Sequence, residues 1–416
     1  MYEKITLPNG LRVLYENIPH VRSVAMGVWV ATGSRYEKAS QSGASHYIEH
    51  MLFKGTDTKT AAQLAEEMDE IGGQINAFTT KECTCLHGRV LDTHLDRFTD
   101  MLWDMFSNSR FGEEDVQSER GIIFEEIDMY RDTPDDLTTE KLFGGVFKGS
   151  SLARPILGSK KTLSTFTGQW LREYKNEHYT AEATVVTLSG SFTQQNIDHI
   201  VSLFSQVPSG EKKKVPKAEY KSAFVTTKKS IEQNHITLGF PSLATGDDRR
   251  FAMQVMNGIL GGGMSSRLFQ TLREKHGLCY SVFAFPSAYA GVGAYSVYTA
   301  LSSDMEEKAL SVIMQELSAL RDDGVTQAEL DRSREQLKAS LLMALESTSA
   351  RMNRLGNSEL SLGCVTPIDD VIKAYDSVTR DDILDLARYI FDFDRISISV
   401  VGKCAPADEY RRMLGV

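Results

Sequence analysis

The order of strand-like and helix-like segments constrains the fold of this chain more than any other feature. Residues 4–17 alternate around Asn9-Gly10, a pair typical of a tight β-hairpin turn. A Val-rich strand is predicted over 23–34, a helix over 43–54, and further strands over 74–91. Because hairpins and helices are mixed without a regular βαβ alternation, the sequence predicts an α+β fold with antiparallel sheets.

A similar order of segments returns in the second half of the chain. A strand is predicted over 233–243, a helix over 247–260 and a hairpin over 280–301, followed by long helices over 304–322 and 326–357. The order of elements is repeated more clearly than the residues themselves. The two halves therefore predict two structurally related domains, each a sheet packed with helices.

A polar stretch with two prolines and a run of lysines, "PSGEKKKVPKAEYKS", separates the halves. Such composition is typical of a linker. We therefore predict a first domain over 1–210, a linker over 211–222 and a second domain over 223–416.

Charge and composition exclude several classes of protein. The net charge of −10 argues against a nucleic-acid-binding protein, which usually carries a basic face. The N-terminus lacks the pattern of a signal peptide, and no apolar run approaches the ~18 residues of a membrane helix. The five scattered cysteines are typical of free thiols in a reducing compartment. The sequence thus predicts a cytoplasmic protein without nucleic-acid or membrane partners.

Three polar residues lie close together within an apolar run, in the segment "SHYIEHMLFKGT". On a helix, His46, Glu49 and His50 project from one side, because residues three and four apart are neighbours. Two imidazoles at this spacing can bind one Zn²⁺, and the glutamate between them can act as a base. The alternative is that all three are ordinary polar side chains on a helix surface.

A catalytic zinc site needs a third protein ligand, and the segment "QSERGIIFEEIDMYRD" offers candidates. Glu119 and Glu126 are seven residues apart and lie on nearly the same face of a helix. A Glu-rich helix is usually just a solvated surface, and periodicity alone does not distinguish Glu125 from Glu126.

The pair "HYIEHMLFKGT" and "ERGIIFEEI" closely resembles the pitrilysin-type metallopeptidases, which carry the inverted zinc motif H-x-x-E-H. The similarity is greatest to the short-chain branch that includes the processing-peptidase beta subunit and bacterial zinc peptidases. The resemblance implies that His46, His50 and Glu126 bind one Zn²⁺ per chain and that Glu49 is the catalytic base. It also implies that Glu119 supports a histidine ligand or the substrate end of the site.

Two further segments extend this resemblance, "GGQINAFTTKE" and "LGGGMSSRLFQTLREKHGLCYSV". The first implies that a substrate peptide lies as an added strand beside Asn76, Ala77 and Phe78. The second implies that Arg273 and Tyr280 contribute a guanidinium and a phenol to catalysis, at the oxyanion or the substrate backbone.

Asp136 and Glu140 match positions at which processing-peptidase relatives hold an arginine two residues before the cut. The alternative for these two acids is ordinary surface charge. The family resemblance as a whole implies a zinc endopeptidase that cleaves extended, unfolded peptides. Each chain would form half of a clamshell, in a homodimer with shared active sites.

Two other functions are compatible with the same residues. One is a zinc-bearing but catalytically idle subunit that assists a partner peptidase. The other is a clamp that binds peptides without cutting them.

Overall fold

The computed structural model describes residues 2–416. Within that range the strands are β1 Glu3–Thr6, β2 Arg12–Asn17, β3 Ser23–Val30, β4 Gln74–Thr79, β5 Thr84–Leu91, β6 Thr184–Gly190, β7 Phe224–Lys228, β8 Asn234–Ser242, β9 Ser281–Tyr289, β10 Val292–Leu301 and β11 Ser397–Gly402. The α-helices are α1 Ala44–Met51, α2 Ala61–Glu70, α3 Leu95–Asn108, α4 Glu113–Arg131, α5 Pro134–Val146, α6 Lys160–Leu163, α7 Gly168–His178, α8 Gln194–Phe204, α9 Arg250–Gly261, α10 Glu306–Asp323, α11 Gln327–Ala344, α12 Thr348–Leu362, α13 Ile368–Ser377, α14 Arg380–Ile390 and α15 Ala407–Leu414. A π-helical segment covers Phe269–Lys275.

The chain folds into two compact units, and each unit takes segments from both halves of the sequence. The first comprises the described residues up to Ile127 together with Arg154–Pro216 and Leu342–Thr366. The second comprises Asp128–Ala153, Lys217–Leu341 and Pro367–Val416. Residues 211–222 contain no helix or strand. The predicted domains divide the chain once, at this stretch, whereas each compact unit contains three separate segments of the chain.

The first unit is built on a six-stranded sheet in the order β1-β2-β6-β3-β5-β4. The predicted Asn9-Gly10 hairpin is confirmed, since β1 and β2 pair antiparallel and Gly10 has a φ of 92°. The α+β class is also confirmed. However, β2 and β6 run parallel, so the sheet is mixed rather than purely antiparallel.

The second unit contains a five-stranded sheet in the order β7-β11-β8-β10-β9. The predicted hairpin is confirmed as the antiparallel pair β9 and β10, whereas β7 and β11 run parallel. Helix α5 packs against this sheet, where the Thr138 hydroxyl donates to the Ser399 carbonyl at 3.2 Å. The sequence analysis considered only the acids of this segment, as a subsite or as surface charge, and missed the buried face of α5.

The prediction of a single helix over 326–357 is wrong, because the chain forms two helices there, α11 and α12. Ser347 is the N-cap of α12, and its hydroxyl accepts a hydrogen bond from the Ala350 N–H at 3.4 Å. Helix α12 then packs against β3, β6 and β2 of the first sheet. The break therefore lets a segment from the second half of the chain cover the first sheet.

The contact between α12 and the sheet depends on a glycine. The Trp29 side chain is fully buried, and its Nε1 donates to the Thr187 hydroxyl at 2.9 Å. A Cβ atom added to Gly356 would lie 2.1 Å from Cε2 of Trp29. Real atoms cannot approach so closely, so the glycine lets the helix backbone rest on the indole ring.

We expect Gly356→Ala to lower the free energy of unfolding by about 1–3 kcal/mol, because overpacking outweighs the gain in helix propensity. The matched control is Gly121→Ala in α4, where an added Cβ meets no atom within 4 Å. That change should be neutral or stabilise by up to about 1 kcal/mol. Urea unfolding of both variants measures the difference. A Gly356→Ala chain as stable as the control would contradict the packing described here.

All five cysteines are free, as predicted, and Cys83, Cys85 and Cys404 are buried. None of the helices within residues 2–416 combines the length and the hydropathy needed to cross a membrane.

Candidate functional site

Helix α1 begins at a fixed point because a buried carboxylate holds its first turn. The two oxygens of Glu37 accept hydrogen bonds from the N–H groups of Gly43 and Ser45, each at 2.8 Å. Burial raises the pKa of Glu37, and these two backbone hydrogen bonds oppose the rise. A carboxylate at this end also complements the helix dipole. The start of α1 is therefore set just before His46.

His46, His50 and Glu126 lie together, on α1 and α4. The Nε2 atoms of both histidines are 3.6 Å from Oε2 of Glu126, and the two rings are 4.7 Å apart between centroids. One ligand atom from each residue lies within 4.8 Å of the others. Zinc binds imidazole nitrogen and carboxylate oxygen at about 2.0–2.2 Å, so one ion between these atoms fits the spacing.

Several buried polar atoms around this group have no hydrogen-bond partner, among them Nδ1 of His46 and Oε2 of Glu49. Buried polar atoms are normally hydrogen-bonded, and exceptions often mark a place for water or an ion. Together with a donor set of two imidazoles and a carboxylate, the unpartnered Oε2 of Glu49 fits a hydrated zinc ion.

The protonation states also suit a metal. Burial, and then the neighbouring His50, lower the pKa of His46 to about 4, so this ring is neutral and can act as a ligand. Burial also lowers the pKa of His50, but the carboxylates of Glu126 and Glu119 outweigh it and raise the value overall. The His50 ring in turn lowers the pKa of Glu126. A bound cation would replace the proton that the two carboxylates favour on His50.

Glu49 lies between the two histidines on α1. Burial raises the pKa of its carboxyl group, while the nearby Thr79 hydroxyl and His50 oppose the rise. A cation at the histidines would lower this pKa, because an adjacent positive charge favours the ionised form. A base kept ionised in this way can accept a proton from water.

The structure distinguishes between the two neighbouring glutamates that periodicity left open. Glu126 is half-buried beside the histidines, whereas Glu125 is exposed and takes no part in the group. Glu119 lies two turns earlier on α4 and is buried, with Oε2 at 3.0 Å from Nδ1 of His50. It is therefore placed to orient a histidine rather than to bind the same ion.

The strand predicted to bind substrate is the edge strand β4, which pairs only with β5 in the first sheet. The Thr80 N–H donates to the Cys83 carbonyl at 2.7 Å, across the turn that joins β4 to β5. Hydrogen-bonded pairs alternate in an antiparallel ladder, so the backbone groups of Ala77 and Thr79 face away from β5. The side-chain oxygen of Asn76 accepts from the Ala77 N–H at 2.8 Å.

Helix α1 packs beside this edge strand, so the metal group and the free edge share one region of the first unit. The Thr79 hydroxyl lies 3.5 Å from the Ser45 carbonyl oxygen on α1. Phe78 packs edge-on against Trp29, with ring centroids 5.6 Å apart. An extended peptide along β4 would therefore pass close to Glu49 and the histidines.

The remaining predicted residues belong to the second unit. Nη1 of Arg273 donates to the Tyr280 carbonyl at 3.3 Å, and its guanidinium lies 4.9 Å from the centre of the Tyr280 ring. The Tyr280 side chain is largely exposed. Asp136 and Glu140 lie on α5. The pKa of Tyr130, near the end of α4, is raised by burial and then by these two acids.

Sequence reasoning missed two residues that support the site, namely Glu37 and Lys54. Glu37 lies in a polar segment without periodicity, and its role depends on a local loop that no pattern predicts. Lys54 follows His50 by four residues, a helical spacing, but it lies beyond the end of α1. Lys54 forms an ion pair with Glu119, a residue distant in sequence, so no local pattern reveals the contact.

Two family models match the chain. The model described as insulinase (peptidase family M16) matches residues 12–160, and the model described as peptidase M16 inactive domain matches residues 165–337. The first match contains every residue of the candidate metal group.

Curated relatives match over nearly the whole chain. A protein of Bacillus subtilis named an uncharacterised zinc protease is 41% identical over 395 residues, which is 95% of this chain and 97% of the relative. Another of the same description from Streptomyces coelicolor is 39% identical, covering 96% of this chain and 89% of the relative.

Solved structures share the fold at low identity. A structure described as a peptidase M16 inactive domain from Pseudomonas fluorescens superimposes with a TM-score of 0.91 at 18% identity, covering 97% of this chain and 98% of that one. A chain from the complex III dimer of Candida albicans gives a TM-score of 0.86 at 17% identity, covering 99% of each chain.

Proposed function

The chain belongs to the peptidase M16 family as a zinc protease, and on that premise we propose that it is an endopeptidase for extended, unfolded peptides. The observation that supports this best is the arrangement of the first unit. Ligand atoms of two imidazoles and a carboxylate lie within 4.8 Å of one another, and the half-buried Glu49 lies on α1 with the two histidines. A sheet edge open to a peptide lies beside them.

In this proposal His46, His50 and Glu126 hold one zinc ion per chain, which supplies a Lewis acid for the scissile carbonyl and the attacking water. Glu49 takes the proton from that water and passes it to the leaving amine. Glu119 orients the His50 ring through Nδ1. The residues of the chain thus divide into ligands, a base and a support for one ligand.

The edge strand supports the preference for extended peptides. A peptide that adds to β4 would displace the Asn76 side-chain oxygen from the Ala77 N–H and pair with the backbone of Ala77 and Thr79. Its recognition would depend first on main-chain hydrogen bonds. Asn76 and Phe78 border this edge. Folded proteins usually cover or distort the edges of their sheets, so unfolded segments are the substrates that suit this surface best.

The acids on α5 motivate a proposal about specificity. If Asp136 and Glu140 form a subsite, cleavage sites should carry Arg or Lys two residues before the cut. The expected preference is about tenfold, because each exposed charge pair contributes up to about 1 kcal/mol. The double variant Asp136→Asn and Glu140→Gln should lose this preference and keep its zinc.

Cleavage mapping of a peptide library by mass spectrometry measures that preference. The matched control is Asp369→Asn with Asp370→Asn, two exposed acids at the start of α13. A wild-type map without basic enrichment would leave Asp136 and Glu140 as surface charge.

We also propose that the working enzyme is a homodimer, in which each closed chamber combines zinc from one chain with Arg273 and Tyr280 from the other. The family resemblance supports this arrangement, because double-length relatives place an Arg–Tyr half opposite the zinc-bearing half. The alternative is a monomer whose own two domains complete the site in cis.

Subunit mixing tests the shared site. Glu49→Gln and Tyr280→Phe are each expected to be inactive alone. After exchange at equal amounts, half of the dimers are mixed and each has one intact site, so about a quarter of wild-type sites should return. Inactive mixtures, with exchange verified by mass, would contradict sharing in trans.

The two alternative functions make different predictions for the purified chain. An idle subunit binds zinc but cleaves no peptide until a partner is added. A peptide clamp binds peptides equally well in wild type and Glu49→Gln, and both leave them whole. Mass spectrometry of peptides incubated with the chain alone distinguishes the endopeptidase from both alternatives, and peptide binding that is equal in wild type and Glu49→Gln then identifies a clamp.

A further inference from the structure

We propose that Lys54 is a positioning residue that sets the zinc affinity of the site through Glu119 and His50. The inference rests on the proposed zinc site and concerns a residue outside its ligands, base and substrate strand.

Three contacts connect Lys54 to the metal group. The Nζ atom of Lys54 lies 2.6 Å from Oε1 of Glu119. The other oxygen of Glu119 lies 3.0 Å from Nδ1 of His50. Nε2 on the far side of the same ring lies 3.6 Å from Oε2 of Glu126. One lysine is therefore connected through one carboxylate to one ligand.

The Glu119 carboxylate needs this partner, because its side chain is only 4% exposed whereas that of Lys54 is 32% exposed. A buried carboxylate without a compensating charge is costly, so without Lys54 the Glu119 side chain would rotate toward solvent. That movement would take the acceptor away from the Nδ1–H group of His50. The lysine thus holds the Glu119 carboxylate in place.

The orientation of His50 matters because each imidazole nitrogen has one task. When Nδ1 donates to a carboxylate, the tautomer is fixed and the lone pair of Nε2 is left for the metal. The contact between Lys54 and Glu119 is an ion pair rather than a directed hydrogen bond, since Oε1 has no donor in hydrogen-bonding geometry. The contact therefore depends on the positive charge at this position, and an arginine at position 54 should preserve it.

A nearby ion pair provides a matched control. Lys59 lies 2.5 Å from Oε2 of Glu67, and its side chain is 30% exposed. This contact belongs to the same unit and is also a lysine–glutamate ion pair, here with a hydrogen bond, but Glu67 bonds Arg97 rather than a histidine. Lys59→Met therefore removes a comparable ion pair without touching the metal group.

The experiment measures the zinc dissociation constant of the full-length chain by competition with a chelator, and the visible spectrum of the Co²⁺-loaded chain. We expect Lys54→Met to weaken zinc binding by about 10–100-fold, as loss of outer partners of metal ligands typically does. The Co²⁺ spectrum should change with it. Lys54→Arg should restore both to near wild type, and Lys59→Met should alter neither.

A double-variant cycle shows whether Lys54 acts through Glu119. In a Glu119→Gln background, Lys54→Met should cause no further loss of zinc affinity. Losses that multiply, or a Lys54→Met chain with unchanged or tighter zinc binding, would overturn the proposal. Equal weakening by Lys59→Met would do so as well. A wild-type chain that binds no zinc would instead refute the proposed zinc site itself.

Discussion

Glu49→Gln should lower kcat for peptide hydrolysis by about 10²–10⁴-fold, the usual contribution of a general base. Glutamine keeps the size of the side chain but cannot accept the proton of the attacking water. Because Glu49 is not among the three ligands, zinc content should remain that of the wild type. Initial rates on an unstructured peptide, with zinc measured in the same sample, test both parts.

Glu125→Gln is the matched control for this change. Glu125 is adjacent to Glu126 in sequence but exposed, so its loss should leave both the rate and the zinc content unchanged. A Glu49→Gln chain that retains more than a tenth of wild-type kcat would remove Glu49 from the role of base.

Glu126→Gln should weaken zinc binding by more than about 100-fold, since losing even an outer partner of a ligand costs about 10–100-fold. An amide oxygen carries no charge to offset the dication, and two neutral imidazoles remain. His46→Ala should have an effect of similar size. Metal analysis after dialysis against a weak chelator measures this directly.

Full zinc retention by Glu126→Gln would refute its assignment as the third ligand. If Glu125→Gln lost the metal instead, the ligand would be the neighbouring glutamate, in spite of its exposed position in α4.

Local sequence signals predicted the parts of the site that lie on one element. The spacing of His46, Glu49 and His50 required only a helix, and α1 supplies it. The third ligand was different, because periodicity placed a glutamate on a face of α4 without choosing between neighbours. Family resemblance indicated Glu126, and the structure places that residue beside the histidines.

The parts that sequence reasoning missed depend on tertiary contacts. Helical periodicity in 326–357 indicated helix, but it carries no information about which sheet the helix covers. The contact of Gly356 with Trp29 exists only once α12 lies on the first sheet. For α5, the sequence analysis considered the acids of "TPDDLTTEK" and overlooked a buried face of the helix, which includes Leu137 and Thr138. The cytoplasmic location remains a prediction.

The most direct measurement of the central claim is zinc-dependent cleavage by the purified chain alone. Unstructured peptides are incubated with the wild-type chain as purified, after complete zinc removal by a chelator, and after zinc is added back, with products identified by mass spectrometry. The account predicts that the wild-type chain cleaves peptides internally, and that this cleavage stops when zinc is removed and returns when zinc is added back. The Glu49→Gln chain should cleave under none of the three conditions. Cleavage that survives complete zinc removal, or a zinc-loaded chain that leaves every peptide intact, would contradict it.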